Sequence, residues 1–179
     1  GIVPVLDSLG GKSWERVKAR VKKSAEKIAG ELLKLYARRN VAQGFAFSPP
    51  DSYAQEFEAG FTYEETADQL KAIEDVIGDM QKPTPMDRLV CGDVGYGKTE
   101  VALRAAFVAV SNNTQVAILV PTTLLAQQHY DNFRDRFADW PVNIALMSRF
   151  VSNKQHAENM KQLAAGKIDI VIGTHKLLQ

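Results

Sequence analysis

The apolar positions of this chain follow one period in its first part and another in its last. From Ser13 to about Arg39, Trp14, Val17, Val21, Ala25, Ile28, Leu32, Leu35 and Tyr36 recur at steps of three or four, forming one stripe of a long amphipathic helix. At 1.5 Å per residue that helix is about 40 Å long, and a single stripe of that length has to pack on something. Residues 1–12, with Pro4, Gly10 and Gly11, read as an irregular entry; residues 40–50 read as a linker with Asn40, Gly44, Pro49 and Pro50. Asp51 can cap a short helix running to Ala59, which places a domain boundary near Gly60. Phe61 to Gln69 then leads into a helix ending at about Gln81.

Beyond Pro83 and Pro85 the pattern becomes strand-helix alternation. The expected strands are 87–91, 115–120, 142–147 and 168–172, and the expected helices are 99–110, 122–138 and 152–165. Near-continuous apolar strands joined by helical crossovers specify an α/β fold, a parallel sheet with helices on both faces, here preceded by the long helix.

Composition narrows the class. With 45% apolar and 24% charged residues in 179, the chain is globular, and no apolar run approaches the ~20 residues of a membrane-spanning helix. Its single cysteine, Cys91, expected at the buried end of a strand, leaves no disulfide framework or metal-ligand cluster and fits a reducing, cytoplasmic setting. Net charge is +1, but residues 1–40 hold ten Lys/Arg against four Asp/Glu. The lysine-rich face of the first helix reads either as a phosphate-binding surface or as an ordinary solvated face.

Candidate chemistry concentrates in Gly92-Asp-Val-Gly-Tyr-Gly-Lys-Thr99. Gly92, Gly97, Lys98 and Thr99 fill every fixed position of the phosphate-binding loop, between an apolar run and a helix-forming run. A triphosphate needs donors close to the backbone, so the loop is rich in glycine (Gly92, Gly95, Gly97) and opens onto the positive end of a helix dipole. Lys98 adds a point charge for the β and γ phosphates, and the Thr99 hydroxyl is placed to ligate Mg²⁺. The pattern points to ATP or GTP. Thr66 and Gln69 carry two readings: a capping box, or a Gln69 amide whose donor and acceptor match the N6 and N7 edge of adenine.

In a parallel sheet the carboxyl ends of the strands share one edge, where ligands bind. The phosphate loop, Pro121-Thr-Thr123, Ser148-Arg-Phe150 and Gly173-Thr-His175 all fall there, offering hydroxyls, helix-start amides and a guanidinium suited to a nucleic-acid backbone. Singly, Thr122, Thr123 and Thr174 could be helix caps and Arg149 a surface charge, while His129 belongs to a packed helix face. Hydrolysis also needs an Asp for Mg²⁺ and a water-positioning residue. Asp169 stands at the start of its strand, the wrong edge, so the catalytic acids are expected beyond Gln179 and none within the chain.

With these residues in view, the chain resembles the bacterial transcription-repair coupling factors, superfamily 2 DNA translocases, and more distantly the branch-migrating helicase RecG. The stretches that carry the likeness are 61–69, 88–102, Arg104-Ala-Ala-Phe107, Leu119-Val-Pro-Thr-Thr-Leu-Leu-Ala-Gln-Gln-His-Tyr130, Ser148-Arg-Phe150 and Ile172-Gly-Thr-His-Lys-Leu-Leu178. The resemblance implies a helical connector (1–60) before a truncated first RecA-like motor domain (61–179), with ATP and Mg²⁺ as cofactors. Gln69 would recognise adenine beside Phe61 or Tyr63; Gly92, Gly95, Tyr96, Gly97, Lys98 and Thr99 would hold the phosphates and metal. Thr122, Thr123, Arg149, Thr174 and His175 would face duplex DNA. It further implies a parent that moves on DNA, displaces stalled RNA polymerase and recruits excision-repair proteins through segments outside this chain, which alone would not run the cycle. Two other classes stay in view: a nucleotide kinase, which would need a lid carrying arginines, and a module whose basic helix docks a partner.

Overall fold

The computed structural model describes residues 12–178. They contain six α-helices and three strands: α1 (Ser13–Val41), α2 (Ser52–Ala59), α3 (Ala67–Met80), α4 (Lys98–Ser111), β1 (Val116–Leu119), α5 (Thr123–Arg136), β2 (Ile144–Met147), α6 (Asn153–Ala164) and β3 (Ile170–Gly173), closed by a 3₁₀ turn (His175–Leu178). The chain divides into two compact units, Gly1–Gly44 and Phe45–Gln179. The entry expected over 1–12 lies outside the described residues but for Lys12.

In the first unit α1 runs as the period predicts, and it buries none of its residues. In the second, the division falls at Phe45, earlier than the boundary expected near Gly60. The physical reason lies in the supposed linker. The Phe47 amide donates to the Met80 carbonyl at 3.0 Å, the Ser48 amide donates to Asn112 Oδ1 at 3.0 Å, and the Phe47 ring packs against the α3–α4 core. α2 likewise sends Ala54 and Phe57 into the main core.

The sheet is parallel, with β3 central and ordered β1-β3-β2, in the register Val116↔Ile170 and Ile144↔Ile170. Because side chains alternate along a strand, Ile170 and Ile172 enter a core with α2, α4 and α5, while Val171 joins Ala145 and Met147 against Leu163 of α6. Both faces are therefore covered, as the near-continuous apolar strands require. The main core is aromatic: Phe57 stacks on Phe107 at 4.3 Å, and Trp140 meets Phe107 edge-on at 4.7 Å. Such pairs add about 0.5–1.5 kcal/mol each to their area burial.

One expected strand does not form. Residues 87–91 are extended coil, Leu89 is 86% exposed, and Cys91 is exposed rather than buried. An apolar run becomes a strand only where a neighbour completes its hydrogen bonds, and this run pairs with no strand of the β1-β3-β2 sheet. The segment is held by Val90, which packs on the α3–α4 core, and by charge: Arg88 Nε donates to Asp79 Oδ2 at 2.6 Å, and Lys82 bonds the other oxygen of Asp79 at 2.6 Å. The hydrogen bond from Arg88, then that from Lys82, lowers the Asp79 pKa to about 2.

Candidate nucleotide and nucleic-acid sites

The phosphate loop reaches α4 through two residues with positive φ, Gly95 at 84° and Gly97 at 71°. Only glycine occupies that region without strain. α2, α3, α5 and α6 are capped by the side chains of Asp51, Thr66, Thr122 and Ser152, whereas Gly97 offers α4 no side-chain cap. The Glu100 amide donates to the Gly97 carbonyl at 2.9 Å, while no side-chain cap serves the Lys98 and Thr99 amides ahead of it, which suits an incoming anion.

Lys98 folds back over this loop, its ammonium donating to the carbonyls of Gly92 (2.5 Å) and Asp93 (2.6 Å). Turning to a phosphate exchanges neutral acceptors for an anionic one, the stronger bond. The Thr99 hydroxyl lies on the first turn, and no cluster of three His, Cys, Asp or Glu is present among the described residues. The glycine turn, the Lys98 ammonium and the uncapped start of α4 fit a nucleotide phosphate, and Thr99 is the residue of the loop that would hold a phosphate-bound Mg²⁺.

Of the two readings of Gln69, the structure shows the cap, and the side chain makes one further contact. The capping box is formed: the Gln69 amide donates to Thr66 Oγ1 at 3.3 Å, and Gln69 Oε1 accepts from the Thr66 amide at 2.8 Å. The remaining Nε2 donates to the Tyr96 carbonyl at 3.0 Å, tying the start of α3 to the loop. A Cβ at Gly97 would collide with that same Nε2, so this glycine serves the close approach as well as the turn. Phe61, half-buried, stands edge-on to Tyr63 at 5.6 Å and has the Arg104 guanidinium 5.9 Å from its ring centre.

Behind the loop lies a buried ionic network that the sequence reading passed over. Arg104, 5% exposed, bonds Glu100 at 3.0 Å, pairs with Glu58 at 3.7 Å and also bonds Glu65. Arg136 donates to Glu100 at 3.3 Å and to the Phe57 carbonyl at 2.5 Å, its guanidinium 4.1 Å from the centre of the Phe57 ring. Burial opposes the charge of Arg104, but the hydrogen bonds to Glu100 and Glu65 outweigh it and raise its pKa. Glu65 is shifted down, first by its own backbone hydrogen bond and then by Arg104. The available signal was an acid and a base at i,i+4, Glu100 just before and Arg104 inside the otherwise apolar run Val101–Phe107.

At the carboxyl edge of the sheet, Thr122, Thr123, Arg149, Thr174 and His175 come together around an open cleft of about 430 Å³, joined by Pro121 and Lys176. Lys176 was not singled out from the sequence; its place beside His175 in the 3₁₀ turn was the signal. Thr122 Oγ1 caps α5 by accepting from the Leu125 amide at 3.2 Å, so its capping reading is realised alongside its place in the cleft. A Cβ at Gly173 would strike the Met147 carbonyl, so glycine there lets the Thr174 turn lie against the end of β2. The phosphate-loop residues do not line this cleft. Asp169 accepts from the Asn143 amide at 2.7 Å and pins the opposite end of β3.

Residues 66–179 match the family model described as DEAD/DEAH box helicase. Proteins named transcription-repair-coupling factor are 55% identical over 178 residues in Bacillus subtilis and 59% identical over 173 residues in Myxococcus xanthus, covering 99% and 97% of this chain. The chain spans 15% and 14% of the length of those relatives. Among solved structures, RecG bound to a three-way DNA junction superposes with a TM-score of 0.76 at 34% identity, over 82% of this chain and 20% of that one. A hypothetical ATP-dependent RNA helicase from Sulfolobus tokodaii shares the fold, with a TM-score of 0.53 at 20% identity over 72% of this chain and 35% of that one. On the phosphate loop, the parallel sheet and these matches, the chain belongs to the DEAD/DEAH box helicase family.

Proposed function

We propose that this chain is the nucleotide-gripping part, and a portion of the DNA track, of a bacterial ATP-dependent duplex DNA translocase that works in the cytoplasm. The observation that carries the reading is Lys98 and Thr99 opening an uncapped helix behind two positive-φ glycines, with Gln69 tied to the loop beside them. Lys98 would neutralise the β and γ phosphates, the first-turn amides would hold their oxygens, and Gln69 would meet the adenine edge. Bound Mg²⁺ would draw charge from the phosphates, with Thr99 among its ligands. Thr122, Thr123, Arg149, Thr174, His175 and Lys176 would hold the DNA backbone without reading sequence. The relative RecG, solved with a three-way DNA junction, favours DNA as the track.

The relatives' name, transcription-repair-coupling factor, supports a role in coupling transcription to repair; that the whole protein displaces stalled RNA polymerase and recruits excision-repair proteins through surfaces other than this chain is the finer part of the proposal. A RecG-type branch-migrating motor is the second reading, favoured by the same superposition. β1, β2 and β3 lead into Pro121, Ser148 and Thr174 rather than into a carboxylate, so we infer that the chain binds nucleotide without turning it over. Calorimetry with a non-hydrolysable ATP analogue and Mg²⁺, on the chain and on Lys98→Ala, tests the site. Equal affinities would refute it. Hydrolysis by the chain alone, with or without duplex DNA, would overturn the inference that it lacks the catalytic acid.

A further inference from the structure

α1 carries two separate faces. At 100° per residue, Arg16, Arg20, Lys23, Lys27, Lys34 and Arg38 project within an arc of about 60°, along about 33 Å of helix. All six are exposed. Glu31, at the edge of this arc, pairs with Lys27 at 3.9 Å. Gly30 fills the gap in the row between Lys27 and Lys34, and nothing lies within 4 Å of where its Cβ would be. The apolar stripe of Trp14, Val21, Ile28 and Leu32 is centred about 130° around the helix from the cations.

That angle separates the possible partners. A helix lying in a membrane surface sinks its apolar face and meets lipid headgroups with cations flanking that face. Lys18 and Lys22 flank the stripe on one side, but the six-residue row points away from any surface the stripe would enter. Cations about one helical turn apart along a straight line instead match a linear polyanion, and 33 Å is the axial length of about ten base pairs at 3.4 Å each. We propose that this face of α1 binds the phosphodiester backbone of duplex DNA, leaving the apolar stripe for protein. The site is distinct from the cleft at the sheet edge, and it extends the reading of this chain as a DNA-handling protein.

The test is fluorescence anisotropy of a labelled 20-base-pair duplex with the whole chain across a salt series, comparing wild type with Lys23→Gln/Lys27→Gln/Lys34→Gln. Glutamine keeps helix propensity, and circular dichroism checks that the helix persists. Each phosphate contact contributes about 0.9 to the slope of log affinity against log salt. The triple variant should therefore be shallower by about 2.7, which is about 40-fold less loss of affinity between 50 and 200 mM salt. A control triple on the second unit, Lys71→Gln/Lys161→Gln/Lys167→Gln, should leave the slope unchanged. An unchanged slope in the α1 variant, an equal loss in the control, or no duplex binding by wild type at 50 mM salt overturns the proposal. So does tighter binding to phosphatidylserine vesicles than to DNA. Arg149→Gln/Lys176→Gln probes the cleft separately: a loss there with no change from the α1 variant overturns this proposal and leaves the cleft standing.

Discussion

Replacing Arg104 by methionine keeps most of its apolar stem and removes a guanidinium that is 5% exposed. The variant leaves Glu100, with a side chain 7% exposed, facing only Arg136 at 3.3 Å. Stripping one partner from a fully buried pair costs about 3–5 kcal/mol. Two features reduce that figure here: Glu100 retains Arg136, and the ion pair to Glu58, whose side chain is 44% exposed, is worth at most about 1 kcal/mol. The expected loss is about 2–3 kcal/mol, or a urea midpoint lower by about 1–1.5 M at a slope near 2 kcal/mol per M. Adding Glu100→Gln removes the stranded carboxylate while still offering Arg136 an acceptor, and should restore about half. Urea unfolding followed by circular dichroism and tryptophan fluorescence provides the measurement. A cost below about 0.5 kcal/mol, or a double variant no more stable than the single, would refute the view that a buried charge balance holds α2, α4 and α5 together.

Gln69→Ala should cost about 1 kcal/mol through the lost capping box and should also narrow the preference for ATP over GTP; competition binding of the two nucleotides decides, and an unchanged ratio leaves Gln69 a cap and loop tie alone. Phe57→Ala, at a position 1% exposed, should cost about 3–5 kcal/mol in the same unfolding assay, and a small loss would show that the aromatic core collapses around the gap. The Asp79 pKa is depressed from 3.8 to about 2, so its ion pairs add stability that is full above the ordinary carboxylate range and lost as pH falls through 2. Acid titration of wild type against Asp79→Asn should show this component missing from the variant; superimposable profiles would disprove it.

The helices were legible in the sequence because a 3.6-residue period and a cap are local properties: Asp51, Thr66, Thr122 and Ser152 each bond the amide three residues on. The phosphate loop was legible because its chemistry is bound to its spacing. What escaped depends on partners distant in sequence. Leu89-Val-Cys91 has the composition of a strand, but composition does not supply a neighbour. The ionic network of Glu100, Arg104 and Arg136 was not legible because nothing local reveals that α2 and Glu65 close over it. Lys98 gave its identity away at once, yet its hold on the carbonyls of Gly92 and Asp93 was visible only in three dimensions.

The strand order has a consequence for how the chain acquires its shape during synthesis. β1 and β2 each pair with β3 and not with each other, so no two of these strands can hydrogen-bond until residues 170–173 exist. While β1, α5, β2 and α6 leave the ribosome, their apolar faces wait for a central strand that follows both of its neighbours. At about 5–20 residues per second that wait lasts on the order of seconds, long enough for a chaperone to bind. The β1-β3-β2 pairing thus waits for its central strand, and a stall in translation just before Ile170 would leave β1 and β2 unpaired with it.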